Sequence, residues 1–415
     1  MLPRYLRLLV VLGLLAASCG GQSAAVPAPT SLPRVNTSVV PVTTTPAAKS
    51  ANTLATTTTV PPVEDTAFVV WMPDGLHPDF DQLALDVPGV TGVTIIEVAT
   101  LHIAETRKAG GRIVDQPPRR FVIPAQGVVL EASTYGRFVD EDAALVIGSL
   151  ASDEVLLGES SAEIRRLAAG DHIVFEGGFE GRVAAVLPDE MLGSAELVVA
   201  TDGLAVPRSQ RSYALVDFDG SVEELEVLLN DTVPGSSTVR VRDRSGASGR
   251  RPTVRSQLFI KQTFGEFAYR PTSGGRFVID PDWVDANIAT ENLPLLGRTT
   301  CHRIYVDLLH EVMQSLVDDG LGSVIDRSAF QGCWVSRYMR GSARLSRHSW
   351  GVAADINFGN SRSGGPGSPV NEELLNRMAA VGIASGHLWT NPDPGHFEYY
   401  GLDSDPPTLT LATTS

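Results

Sequence analysis

Cysteine is scarce in this chain, with three among 415 residues, at positions 19, 301 and 333. Three thiols allow at most one disulfide and leave one cysteine over, so no dense disulfide framework holds the fold together. Positive charge is also in deficit: 33 Lys and Arg stand against 48 Asp and Glu, a formal net charge of -15. A general nucleic-acid binder is excluded on that balance, because nothing broad would neutralise phosphates. Long hydrophobic runs are missing too. The most apolar stretch, Leu8 to Ala17, is too short to span a bilayer comfortably. What is present is ordinary for folded protein, with 43% apolar and 20% charged residues. The length favours two domains with accessory segments over a single one.

The first residues bear on the compartment. In "MLPRYLRLLVVLGLLAASCGG", Arg4 and Arg7 precede the apolar run and small residues follow it. That is the layout of a secretory signal, and it predicts an extracytoplasmic protein of the cell envelope. "LAASC" resembles the lipobox of bacterial lipoproteins, with Ala16 where Leu is usual. The resemblance implies cleavage after residue 18 and lipidation of Cys19, the membrane being met through that anchor alone. An ordinary signal peptide with an incidental cysteine is the alternative. With Cys19 lipidated, Cys301 and Cys333 remain, either as a disulfide or as two buried thiols. A bond closing that loop would stabilise by about 3 to 4 kcal/mol in the chain-entropy model.

Residues 20–65 are Thr, Pro, Ala, Ser and Val with almost no charge and read as a disordered tether; residues 403–415 read as a similar tail. Between them the pattern predicts an α+β protein in two parts. From 66 to 241, short β-rich runs such as "AFVVWM", "GVTIIEVATLHI" and "HIVFEG" alternate with helical patches. His77, His102 and His172 have no ligand-like spacing there and read as structural or surface residues. "EVLLGESSAEIRRLAAGDHIVFEG" loosely resembles extracytoplasmic domains of the FtsX and macrolide-exporter permeases, which implies a non-catalytic module open to a protein partner. A basic Gly/Ser-rich linker covers 242–256, and a second domain runs from 257 to 402. In that domain Ile304, Leu308, Val312 and Leu316 mark one face of a helix ending at Gly320, with His310 on its surface or in its packing. Asn371 caps a further helix stopped by Gly382.

The chemistry concentrates after residue 333. "LSRHSWGVAADIN" reads as a strand, a tight turn near Gly351 and a second strand, returning Asp355 towards His348. His396 follows in "NPDPGHFEYY". Two histidines and a carboxylate with an open fourth position suit a catalytic Zn2+. His387 competes for the third place but lacks the preceding acid and the aromatic strand after it. Hydrolysis also needs a base, and Asp393, three residues before His396 and between Pro392 and Pro394, is the candidate. Glu398 alternates with His396 along a strand and would support a ligand from behind. Trp389 would wall the pocket.

"SRHSWGVAADI" with a later "DPGHFEY" resembles the LAS zinc peptidases, which include D-alanyl-D-alanine carboxypeptidases and L-alanyl-D-glutamate endopeptidases. The likeness extends over about Gly265 to Tyr399 and is strongest from Cys333. It implies a small antiparallel sheet with helices, His348, Asp355 and His396 on zinc, and Asp393 as base. The best-known members have Glu at that position, and VanY-like relatives often have Asp. The family's upstream arginine for a substrate carboxylate or oxyanion would be Arg337, which follows a strand-like "CWVS", or Arg340. Ser346 would hydrogen-bond the peptide. Arg347 reads as an exposed charge. The expectation is a zinc peptidase acting on peptidoglycan stem peptides, most simply a D-alanyl-D-alanine carboxypeptidase. The alternatives are an L-alanyl-D-glutamate endopeptidase with the same residues and a non-catalytic wall-binding or assembly lipoprotein.

Overall fold

A computed structural model describes residues 67–139, 141–192, 195–200, 210–235, 237–243, 254–339, 344–358, 371–389 and 392–402. Cys19, the 20–65 tether, most of the 242–256 linker, Arg340 and the 403–415 tail lie outside the described residues. The described elements belong to one compact unit, Val63–Ser415, and mix helix with strand, an α+β architecture.

One long strand, Val90–Arg107, organises the first module. Its first half pairs antiparallel with Gln210–Phe218, and Ala67–Trp71 and Arg240–Asp243 extend that sheet outwards. Helices Phe80–Leu85 and Val222–Thr232 cover it, burying Phe80, Ala84, Leu225 and Leu229 with Val70 and Val216. Ser221 starts the second of these helices, its Oγ accepting from Glu224 N at 3.1 Å. The other half of the long strand pairs with Ile123–Leu130, and pairing then continues through Leu197–Ala200, Glu154–Gly158, Glu180–Leu187 and His172–Phe175. The last of these pairs again with Val90–Arg107, so the ring closes around Leu101, Ile103, Val155, Leu157 and Ile173. Closure removes the open edges that an isolated sheet would expose.

The second module is built on helix Arg303–Asp318. Its buried stripe is Tyr305, Leu309, Val312, Met313 and Leu316, while Ile304, placed on that face by its spacing, is 47% exposed. A helix advances 3.6 residues per turn, so a row of four-residue steps drifts around the cylinder and its first member leaves the buried stripe. His302 caps the helix through Nδ1, which accepts from Ile304 N at 3.3 Å. Burial lowers its pKa to about 4, which keeps the ring neutral and able to accept. The preceding hairpin pairs Ile288–Leu293 with Gly297–His302. A three-stranded antiparallel sheet then places Asp393–Tyr399 between Ala353–Asp355 and Ile383–Gly386. Asn371 caps helix Glu372–Ala380, accepting from Leu374 N at 3.1 Å, and Gly382 takes a φ of 77° just beyond it.

A buried ionic cluster joins the two modules. Glu196 accepts from Arg165 Nη2 at 2.5 Å, Lys261 Nζ at 2.7 Å and Gln257 Nε2 at 3.0 Å. Glu266 accepts from the same arginine at 2.6 Å and the same lysine at 2.7 Å. Two cations and two carboxylates therefore balance in the interior. Burial alone would raise the Glu196 carboxyl, but Lys261 and Arg165 hold it well below the usual range. Removing one member of a buried charge cluster leaves the rest uncompensated, at a cost of about 3–5 kcal/mol. Glu196→Ala is therefore expected to lower stability by about that amount, read as a fall in the denaturant midpoint with the slope preserved. An unchanged midpoint would show that the cluster contributes no net stability.

Candidate metal centre

The segment around His348 departs from the two-strand path that its sequence suggests. Arg347–Ser349 forms a single 3-10 turn, Gly351 adopts φ 69°, and only Ala353–Asp355 is strand. The turn is held by an extended strap, residues 331–338, instead of a ladder partner. Val335 N donates to His348 O at 3.0 Å, and Ser346 N donates to Arg337 O at 3.1 Å. The "CWVS" stretch likewise lies outside the regular strands, within that strap. Gly351 serves a close approach: a Cβ there would lie 2.5 Å from His302 N, which donates to Gly351 O at 2.9 Å.

Strand register then assembles the site. Asp355 lies directly opposite His396, and Ala353 opposite Glu398. Because side chains alternate along a strand, Asp355, His396 and Glu398 share one face. His348 joins them from the 3-10 turn. His348, Asp355 and His396 bring one ligand atom each to within 4.8 Å of one another. His348 Nε2 lies 3.3 Å from Asp355 Oδ1, and His396 Nδ1 lies 3.0 Å from the same oxygen. Neighbouring ligands on a tetrahedral zinc, at the usual bond lengths, would stand about 3.3–3.5 Å apart.

The hydrogen-bond partners decide what these nitrogens present. His348 Nδ1 lies 2.6 Å from Cys333 O, and a carbonyl can only accept, so the proton sits on Nδ1 and Nε2 offers a lone pair. His396 Nδ1 lies 3.0 Å from Asp355 Oδ1 and its Nε2 lies 3.2 Å from Glu398 Oε2, so a carboxylate engages each ring nitrogen; with Glu398 keeping a proton on Nε2, Nδ1 is the nitrogen left for a metal. Two ring nitrogens thus face one carboxylate oxygen, an arrangement that calls for positive charge among them, whether a proton or a metal ion. His348 Nε2 is buried without a hydrogen-bond partner. The donor set and this orphaned nitrogen fit a divalent metal of the zinc type.

Charge responds in the same sense. Burial works against ionisation of Asp355, yet His348 and His396 hold its carboxyl well below the ordinary range. Burial would likewise lower His396, but Asp355 and Glu398 raise it to about 9, so without a metal both its ring nitrogens stay protonated at neutral pH. Burial would raise Glu398, and His396 with Arg347 pulls it down. Asp393 is the exception. Burial is its largest influence and raises its carboxyl, against lowering by His396, His348 and Arg337, and its Oδ1 is buried without a hydrogen-bond partner.

The remaining candidate residues fall around this centre. Arg337 is near enough to act on the Asp393 charge. Its backbone is pinned by Ser349 Oγ, which accepts from Arg337 N at 3.3 Å and donates to Arg337 O at 2.9 Å. Ser346 is buried at the start of the 3-10 turn. The Trp389 ring sits 5.1 Å from that of His396. His387 lies outside the ligand group, and both its ring nitrogens are buried without partners. Arg347 is not the exposed charge its sequence context suggests: it is half-buried, donates to Arg255 O and faces Glu398. It is held there because the turn carrying His348 folds inwards. Cys301 and Cys333 are joined as a disulfide with their Cα atoms 5.4 Å apart. His77, His102 and His172 lie apart from the centre; Nδ1 of His77 accepts from Asp79 N, and His172 pairs with Glu180. His310 is exposed.

Sequence reasoning missed three contributors: the Cys333 carbonyl, Ser349, and Tyr305, whose OH donates to Phe397 O at 2.8 Å behind the ligand strand. A carbonyl has no signature in side-chain pattern, and the other two act only through distant backbone.

Comparison with known proteins bears on this geometry. Residues 340–399 match a family model described as D-alanyl-D-alanine carboxypeptidase, which supports the LAS-type peptidase resemblance for this part of the chain. No curated protein matches the chain. Among solved structures, it is similar to the periplasmic region of MacB from Actinobacillus actinomycetemcomitans, at 14% identity and TM-score 0.30, over 44% of this chain and 91% of that one. It is also similar to the extracellular domain of the noncanonic ABC-type transporter YknZ from Gram-positive bacteria, at 14% identity and TM-score 0.29, over 43% of this chain and 100% of that one. These structural likenesses are too distant to carry a functional argument. Among the described residues, no helix is long and apolar enough to cross a membrane.

The ligand assignment makes a direct prediction. His348→Ala and His396→Ala are expected to abolish tight zinc uptake, measured by competition with a chromophoric chelator. Glu398→Gln should retain zinc with affinity weakened by about 10–100-fold, as for other groups that orient a ligand. Full affinity in either alanine variant would remove that histidine from the ligand set.

Proposed function

We propose that the second module is a zinc peptidase that removes terminal D-alanine from peptidoglycan stem peptides. One observation carries the reading: His348 Nε2 and His396 Nδ1 both confront Asp355 Oδ1, while their opposite nitrogens are engaged by Cys333 O and Glu398. The match of residues 340–399 to a D-alanyl-D-alanine carboxypeptidase model supports the substrate class. Zinc, when bound there, would polarise the scissile carbonyl and acidify the attacking water. Asp393 accepts the proton of that water and passes it to the leaving amine nitrogen. Burial raises its carboxyl, which favours this exchange in both directions. Arg337 takes the terminal carboxylate in its planar guanidinium fork, a geometry lysine cannot reproduce. Ser346 hydrogen-bonds the peptide, and Trp389 confines it beside His396. The chain works outside the cytoplasmic membrane, on a lipid at Cys19 and the Thr/Pro-rich tether, within reach of the wall.

Asp393→Asn is the decisive variant. It should retain zinc and lose hydrolysis by about 10²–10⁴-fold, the usual contribution of a positioned acid–base group. The measurement is release of free D-alanine from purified muropeptides, identified by mass. Release of a longer stem fragment instead would assign the endopeptidase reaction to the same residues. Undiminished activity in Asp393→Asn would remove the base assignment.

A further inference from the structure

The strap that carries Arg337 is held from two sides. Ser349 Oγ bonds both the N–H and the carbonyl of Arg337, and Arg276 bridges it antiparallel. The next residue, Tyr338, reaches Tyr269. Its OH donates to Tyr269 OH at 3.0 Å, and Tyr269 OH lies 2.7 Å from His102 Nε2. His102 Nδ1 in turn lies 2.7 Å from Glu176 Oε2. His102 stands on the long strand Val90–Arg107, and Glu176 directly follows the strand His172–Phe175, so both belong to the first module.

The protons in this chain run one way. The Glu176 carboxylate can only accept, so His102 Nδ1 donates to it and Nε2 is left to accept from Tyr269. Tyr269, having donated, accepts from Tyr338. Burial raises the Tyr269 phenol far above the physiological range, so it stays a donor. Its backbone is tied to the first module as well: Val122 N donates to Tyr269 O, and Tyr269 N to Val122 O, both at 2.8 Å. Tyr269 is fully buried, its ring 5.6 Å from that of His102 and edge-on to it, with Phe277 packed against both tyrosines. Nothing in the metal centre requires this chain. Its last member, Tyr338, is the residue beside the candidate carboxylate-binding arginine.

We infer that the first module is a positioning element for the peptidase site: Glu176, His102, Tyr269 and Tyr338 set the place of Arg337 and with it the affinity for a terminal carboxylate. This rests on the peptidase reading. It gives the first module a task within its own chain, and Tyr269 and His102 act on substrate only through Arg337.

The test is a double-mutant cycle in the full chain. Tyr269→Phe keeps the ring and removes the central hydroxyl. It is expected to raise KM for a peptide ending in D-alanyl-D-alanine by about 3–10-fold, the worth of the hydrogen bond that reaches Tyr338, with kcat within about twofold and zinc content unchanged. Tyr338→Phe, which breaks the chain at its other end, should reproduce the effect if Tyr269→Phe folds poorly. In an Arg337→Ala background neither change should raise KM further, because the group they position is gone. A merely structural role predicts an equal rise in both backgrounds, and that result overturns the inference. An active wild type whose Tyr269→Phe and Tyr338→Phe variants keep the parental KM overturns it alone. A wild type that takes up zinc but cleaves no wall peptide defeats the peptidase reading and this inference together.

Discussion

The structure turns on two imidazoles and one carboxylate brought together in a buried site that needs positive charge among them. His348 Nε2 and His396 Nδ1 confront Asp355 Oδ1 from 3.3 and 3.0 Å, while Cys333 O and Glu398 engage the nitrogen on the other side of each ring. In a buried setting that much electron density on one point demands a cation. Without metal, His396 meets the demand by holding a proton, with its pKa at about 9. A divalent ion would meet the demand by coordination, in place of the proton on His396 Nδ1, with Glu398 keeping the one on Nε2. The groups behind the ligands therefore matter as much as the ligands.

Those groups are carried by elements with little regular structure of their own. The strap from 331 to 338 bonds Asp355 through Gln331 N and Gly332 O, His348 through Cys333 O and Val335 N, and Ser349 through Arg337. The disulfide joins Cys333 to Cys301, at the end of the hairpin strand that precedes helix Arg303–Asp318. A strap without ladder partners would otherwise be free to move, and a cross-link at its first turn restricts that freedom at the carbonyl which orients a ligand. At its other end the strap meets the aromatic chain from the first module, and the buried cluster of Arg165, Glu196, Lys261 and Glu266 fastens the two modules beside it.

Much of this was legible beforehand, for local reasons. Histidine and aspartate at 348, 355 and 396 were marked by residue type and by an unusual motif, and the caps at Asn371 and Gly382 by rules that act within one turn. Other readings failed where neighbours overruled local pattern. Residues 346 to 350 form a turn because the strap captures their backbone, and Arg347 is drawn inwards with them. Ile304 lies outside the buried stripe because four-residue steps outrun the helical repeat.

What the sequence by itself determined is the inventory: an acidic α+β chain, a non-repeating set of His, Asp and Arg residues after position 333, and the caps and glycines that punctuate its elements. What only the tertiary structure decided is protonation and pairing: which ring nitrogen faces the carboxylate, which carbonyl engages the other, and that His102 and Tyr269, far from the ligands in sequence, stand in line with Tyr338 beside Arg337. The reason is physical. Tautomers and carbonyl contacts depend on backbone atoms brought together across long separations, and every residue's backbone carries the same groups whatever its letter.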